Sequence, residues 1–108
     1  MSRDWRLYWH DIVRCRRKVE RFTAGMDKAA FVADERTFDA VVRNIELIGE
    51  AAKQIPLAGQ ALATNVDWRK IAGMRDFLAH VYFNIDDAIL WDVVINKVPE
   101  LRKALESV

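Results

Sequence analysis

Arg75-Asp76-Phe77-Leu78-Ala79-His80-Val81-Tyr82 sets an arginine, an aspartate, a histidine and a tyrosine within one short, otherwise apolar stretch. The chain has 2 histidines and 2 tyrosines, and this octet holds one of each. A guanidinium holds a phosphate through paired hydrogen bonds, and an imidazole moves protons near neutral pH. Together they are the tools for cutting a phosphodiester without a metal.

Helical geometry constrains how these residues could cooperate. At about 100° per residue, Arg75 and Tyr82 fall within about 20° of each other. Asp76 and His80 form an i,i+4 pair about 40° apart, close enough for the carboxylate to set the imidazole tautomer. Arg75 and His80, however, are about 140° apart on a straight helix. Either the helix ends or distorts near His80, or a twofold axis beside it completes the site from two copies. Taken alone, the same residues also read as a solvated face with a local ion pair.

The elements that must position the octet are helical almost throughout. Trp5, Tyr8/Trp9, Ile12, Cys15, Val19 and Phe22 recur at three and four, and Gly25 ends that stripe. Lys28 to Val32 fits one turn, and Asp34 is placed to cap the next helix. That helix carries Phe38, Val41/Val42, Ile45, Ile48, Ala52 and Ile55 before Pro56 and Gly59 close it. Residues 56–66 read as a connector with one turn at Gln60–Ala63. Asn65 or Asp67 caps a third helix from Trp68, which carries the octet. Asn84 interrupts, Asp86-Asp87 open a further helix, and Pro99 starts a final helix or kinks one long one. No window alternates with period two. The pattern predicts an all-α antiparallel bundle of four main helices plus a short extra helix, in one domain over 1–108.

Composition narrows the function classes. Half the chain (52%) is hydrophobic, with 4 tryptophans, which excludes a disordered chain. No apolar run reaches about 18 residues, so no transmembrane helix is expected. The charged start, Met1-Ser2-Arg3-Asp4-Trp5-Arg6, leads into no apolar signal segment. The single Cys15 fits a reducing cytoplasm. A net charge of +1 argues against a strongly basic nucleic-acid binder, yet the charge is uneven. Arg3, Arg6, Arg14, Arg16, Arg17, Lys18 and Arg21 face only three acids over the same stretch. That patch suits RNA or an acidic partner, or simply the helix macrodipole.

Arg43, Asn44, Glu46 and Glu50 form a second polar group, with Arg43, Glu46 and Glu50 at i, i+3, i+7. They read as an ion-pair ladder on a solvated face, or as a polar stripe at a cleft or dimer interface. His10 matches no motif. Trp5, Trp9, Trp68 and Trp91 read as core or interface anchors rather than base-stacking platforms. No metal-binding set stands out.

The octet resembles the Arg-x4-His motif of HEPN domains, with the added x-Tyr of HepT-like toxins. Arg43-Asn44-Ile45-Glu46 with Ile48-Gly49-Glu50-Ala51-Ala52 is similar to that family's central helix. Val66-Asp67-Trp68-Arg69-Lys70-Ile71-Ala72-Gly73-Met74-Arg75 resembles its lead into the motif. Tyr82-Phe83-Asn84-Ile85-Asp86, Leu90-Trp91 and Val98-Pro99-Glu100-Leu101 follow the family's C-terminal order. The likeness covers essentially the whole chain.

The resemblance implies a homodimeric HEPN-like bundle acting as a metal-independent endoribonuclease, the toxin of a type VII-like toxin–antitoxin pair. It implies Arg75, His80 and Asp76 as catalytic residues, with attack by the RNA 2′-OH and no cofactor. The implied partner is a small nucleotidyltransferase antitoxin, assembling further with the dimer. That partner would use ATP to add AMP to Tyr82 and silence the nuclease. Asp76 stands where the family often has Asn; its charge would favour the protonated form of His80. Some HEPN proteins lack catalysis, so the competing expectation is an inactive helical dimer that binds nucleotides or docks the nucleotidyltransferase.

Overall fold

The helices that start at Trp5, Lys28, Glu35 and Trp68 each begin at a carboxylate placed to satisfy unpaired N–H groups. The protein's structure, a computed structural model, describes residues 3–81 and 87–106, with the backbone course alone for 75–77 and 79–81. Helix α1 spans Trp5–Thr23, with the Asp4 carboxylate accepting from the Arg6 N–H at 2.9 Å. It ends where the Thr23 hydroxyl donates to the Val19 carbonyl at 2.8 Å. Gly25 then reverses the chain at φ 76°, a conformation that disfavours a Cβ. Helix α2, Lys28–Ala33, is capped by Asp27.

Asp34 closes α2 with its own N–H and caps α3, Glu35–Lys53, by accepting from the Thr37 N–H at 3.1 Å. Its carboxyl is held below the usual range by the Thr37 backbone N–H and then the Thr37 hydroxyl. Helix α4 is one turn, Leu57–Gln60, three residues earlier than the connector pattern predicts. Pro56 explains the shift, since its missing N–H suits a helix start. Gly59 lets that turn close on α1: a Cβ there would lie 2.9 Å from the Trp5 ring.

Helix α5 spans Trp68–Val81, and of the two candidate caps Asp67 is used, accepting from the Lys70 N–H at 3.1 Å. Helix α6, Asp87–Asp92, runs through a π-helical turn, Val93–Lys97, straight into α7, Val98–Glu106. The Val98 N–H reaches the Val93 carbonyl, five residues back. Pro99 is the physical reason. Its ring would clash with the carbonyl four residues earlier, and a wide turn relieves that. One long, distorted helix therefore stands where a kink or a separate final helix is expected. The four main helices are as expected, and two short ones, α2 and α4, accompany them among the described residues.

Helix α3 lies between α1 and α5. One core joins Ile12 and Cys15 of α1 to Ile48 and Ala52 of α3, Trp68 of α5 and Leu101 of α7. The other joins Val19, Val41, Ile45, Leu78, Leu90 and Val98, with Phe31 of α2 as a plug. Rising numbers on α1 meet falling numbers on α3, and the reverse holds for α5, so successive main helices are antiparallel. At one edge, Glu20 accepts from Arg102 at 2.8 Å and pairs with the buried Arg16 at 3.5 Å, tying α1 to α7. Among the described residues, no helix is long and apolar enough to cross a membrane.

Candidate active site

Helix α5 carries Arg75 to Val81 of the octet, and its first turn is pinned from inside. The Trp68 indole N–H donates to the Ala63 carbonyl at 3.1 Å and lies 3.3 Å from the Gln60 carbonyl. The Trp68 ring packs on Trp9 at 5.4 Å, and Trp9 meets Trp5 edge-on at 6.3 Å. Trp91 packs on Phe31 at 5.3 Å. All four tryptophans thus serve packing. Further along α5, Ile71 joins the first core, and Met74 and Leu78 join the second.

Those buried positions orient the rest of the helix. Counting from Ile71, position 75 is about 40° away, beside the core-facing edge, and position 80 about 180° away, on the opposite face. Position 76 falls about 140° from Ile71, on the same side as position 80. The α-helix runs unbroken through Val81, so no distortion inside it brings positions 75 and 80 together. Arg75, Asp76 and His80 therefore sit on one helix but on two faces. Tyr82 lies outside the described residues.

Beside α5 is a cavity of about 420 Å³, bounded by the long C-terminal helix. Ile48, Ile71, Met74, Val93 and Leu101 make its wall apolar, and Lys70, Asp92 and Lys97 give polar edges. Gly73 also lines it, in the middle of α5 and exposed. A Cβ built at Gly73 meets nothing within 4 Å. In the sequence Gly73 is marked only as a helix-weakening glycine three residues before Asp76 and seven before His80.

The second polar group is arranged differently. Arg43, 67% exposed, pairs with Glu46 at 3.5 Å, the ladder expected on a solvated face. Asn44 is buried, its amide donating to the Ala40 carbonyl at 2.8 Å. Glu50 lines a cavity of about 530 Å³ between α1 and α3, with Arg3, Tyr8, Asp11 and Arg14. There Arg3 donates to Asp11 at 2.6 Å and lies over the Tyr8 ring. Within one chain, Glu50 thus belongs to the α1 side of α3, and Ile48 is what α3 contributes to the cavity beside α5.

Comparison with known proteins bears on what this arrangement serves. Residues 12–108 match the model of the HepT-like family, described as "Ribonuclease HepT-like". "Putative RNase MJ0127" of Methanocaldococcus jannaschii is 39% identical over 107 residues, covering 99% of this chain and 88% of that protein. "Probable ribonuclease HepT" of Thermococcus cleftensis is 37% identical, covering 99% of this chain and 97% of that protein. No solved structure gives a significant match.

Proposed function

The chain belongs to the HepT-like ribonuclease family, and from that premise we propose that it is a metal-independent endoribonuclease, the toxin of a toxin–antitoxin pair in the cytoplasm. The observation that carries the catalytic reading is the unbroken α5, which holds positions 75 and 80 on different faces beside an open apolar cavity. In this reading one chain cannot bring both positions to a common phosphate. A second copy docked across α5 can, and apolar Ile71, Met74 and Val93 give it a surface to cover.

In this scheme the RNA 2′-oxygen attacks the adjacent phosphorus. The O2′–P bond forms, the P–O5′ bond breaks, and a cyclic phosphate and a 5′-hydroxyl result. His80 takes the 2′ proton, and the partner's His80 returns one to the leaving oxygen. Arg75 stabilises charge building on the phosphoryl oxygens. Asp76 orients His80 through a hydrogen bond. Tyr82 is the off switch: its hydroxyl attacks the α-phosphorus of ATP held by a nucleotidyltransferase antitoxin, and pyrophosphate leaves. The AMP left on Tyr82 brings negative charge that repels RNA.

The test is cleavage by the purified chain in the presence of a chelator. His80→Ala and Arg75→Ala should each abolish it, and a 2′-deoxy substrate should resist. Full-rate cleavage by His80→Ala would end this scheme. Absence of cleavage by the unmodified chain would favour the inactive docking dimer.

A further inference from the structure

The outer face of α1 carries a charge pattern that the α5 site does not use. His10, Arg14, Arg17, Lys18 and Arg21 fall at i, i+4, i+7, i+8 and i+11, within about 100° of the helix surface. Arg14, Arg17 and Arg21 are exposed, and Arg14 keeps 73% of its side chain in solvent. The acids bordering this face are already engaged. Asp11 is held by Arg3 at 2.6 Å, and Glu20 by Arg102 at 2.8 Å. Among the described residues, no carboxylate is paired with Arg17, Lys18 or Arg21.

From Arg14 to Arg21 the face runs about 10 Å, matching about three nucleotides at about 3.4 Å each. Between those residues it exposes no apolar side chain, whereas a protein partner needs an apolar centre to its interface. Arg17, Lys18 and Arg21, with no carboxylate partner among the described residues and no exposed apolar side chain between them, fit a polyphosphate backbone.

We propose that this face of α1 is a track for the phosphate backbone of single-stranded RNA, holding substrate at a distance from the α5 site. The inference rests on the ribonuclease reading for its substrate. Helices α1 and α5 flank α3, so only RNA longer than a few nucleotides reaches both. About a dozen nucleotides, at about 3.4 Å each, span the molecule's longest extent of 40 Å. Cleavage should therefore depend on substrate length through α1, while chemistry on a dinucleotide should not.

The experiment compares Arg17→Gln/Arg21→Gln with Lys28→Gln/Lys103→Gln, which removes equal charge elsewhere on the surface. Binding of a labelled 20-mer is measured against salt on a His80→Ala background. The α1 pair should weaken binding roughly tenfold and flatten the log–log salt slope by about 1.4, at about 0.7 per lost phosphate contact. On the otherwise unmodified chain, it should slow cleavage of the 20-mer and spare a dinucleotide. The Lys28/Lys103 pair should do neither. Equal effects from both pairs, or an unchanged slope in the α1 pair, overturn the proposal; the second result would point to an acidic protein partner for this face. If the unmodified chain cleaves nothing, the ribonuclease reading fails while the slope comparison still decides the track.

Discussion

Glu20 and Arg102, 82 residues apart, meet at 2.8 Å, and the same carboxylate also faces Arg16, whose side chain is only 8% exposed. One anion therefore serves two cations, one of them nearly dry. The Arg16 Nε is buried without a partner among the described residues. Removing the carboxylate leaves Arg16 uncompensated. Glu20→Ala should cost about 2–4 kcal/mol, below the ~3–5 of a fully buried pair because Glu20 keeps some solvent. Arg16→Met should cost under about 1 kcal/mol, since Arg102 still pairs Glu20 and a buried charge is gone. Urea unfolding measures both, and equal losses would contradict this division.

The start of α5 depends on Trp68. Trp68→Phe keeps most of the ring packing and removes the indole donor to Ala63, whose carbonyl keeps the Val66 N–H at 3.2 Å. A loss of about 0.5–1.5 kcal/mol follows from that one lost hydrogen bond. Because the same bond sets where the site helix begins, the cleavage rate should fall further than the unfolded fraction accounts for. Parallel urea curves and rates at one temperature separate the two effects.

Much of this architecture is readable from local chemistry. Asp34 caps α3 as the sequence suggests, because a cap needs only a carboxylate beside its own helix. Pro99 was ambiguous for a physical reason: a kink and a new helix preserve the same apolar stripe, and only packing selects the π-helical turn. The angular split of Arg75 and His80 follows from counting residues. The cavity beside α5 does not, since it depends on which helices flank α3. Glu50 faces α1 for the same reason, a choice periodicity leaves open.

Asp34 also makes a pH prediction. Its carboxyl titrates below the usual value because the Thr37 backbone N–H and hydroxyl hold its charged form. A pKa lowered by folding adds stability that is present above the unfolded value and lost as pH falls through the folded one. Asp34→Asn keeps a good cap but cannot titrate. The variant should lose less stability than the parent between about pH 5 and pH 2. Urea midpoints across that range give the comparison, and parallel curves would count against the assignment.

Gly73 costs α5 about 1 kcal/mol relative to alanine, and among the described residues nothing packs where its Cβ would stand. Gly73→Ala should therefore raise the stability of the isolated chain by up to about 1 kcal/mol. If the face bearing positions 73, 76 and 80 meets a second copy or RNA closely, the added methyl should weaken dimerisation or slow cleavage. Sedimentation and rate measurements on one preparation read both. A stabilised variant with unchanged assembly and rate would remove that face from the site.

The separation of positions 75 and 80 makes the strongest demand on the proposed dimer. If each working site takes Arg75 from one copy and His80 from the other, two inactive variants should repair each other. Chains bearing Arg75→Ala and chains bearing His80→Ala are mixed, unfolded and refolded together. Random pairing makes half of the dimers mixed, and each mixed dimer regains one intact site of two, so about a quarter of the parent rate should return. If both His80 side chains share one central site, every mixed dimer lacks one and little activity returns. The proposed two-histidine scheme expects no recovery; recovery near a quarter would instead assign the two residues to opposite copies, with one histidine per site. No recovery, with mixed dimers confirmed by mass, assigns the work to a shared histidine pair.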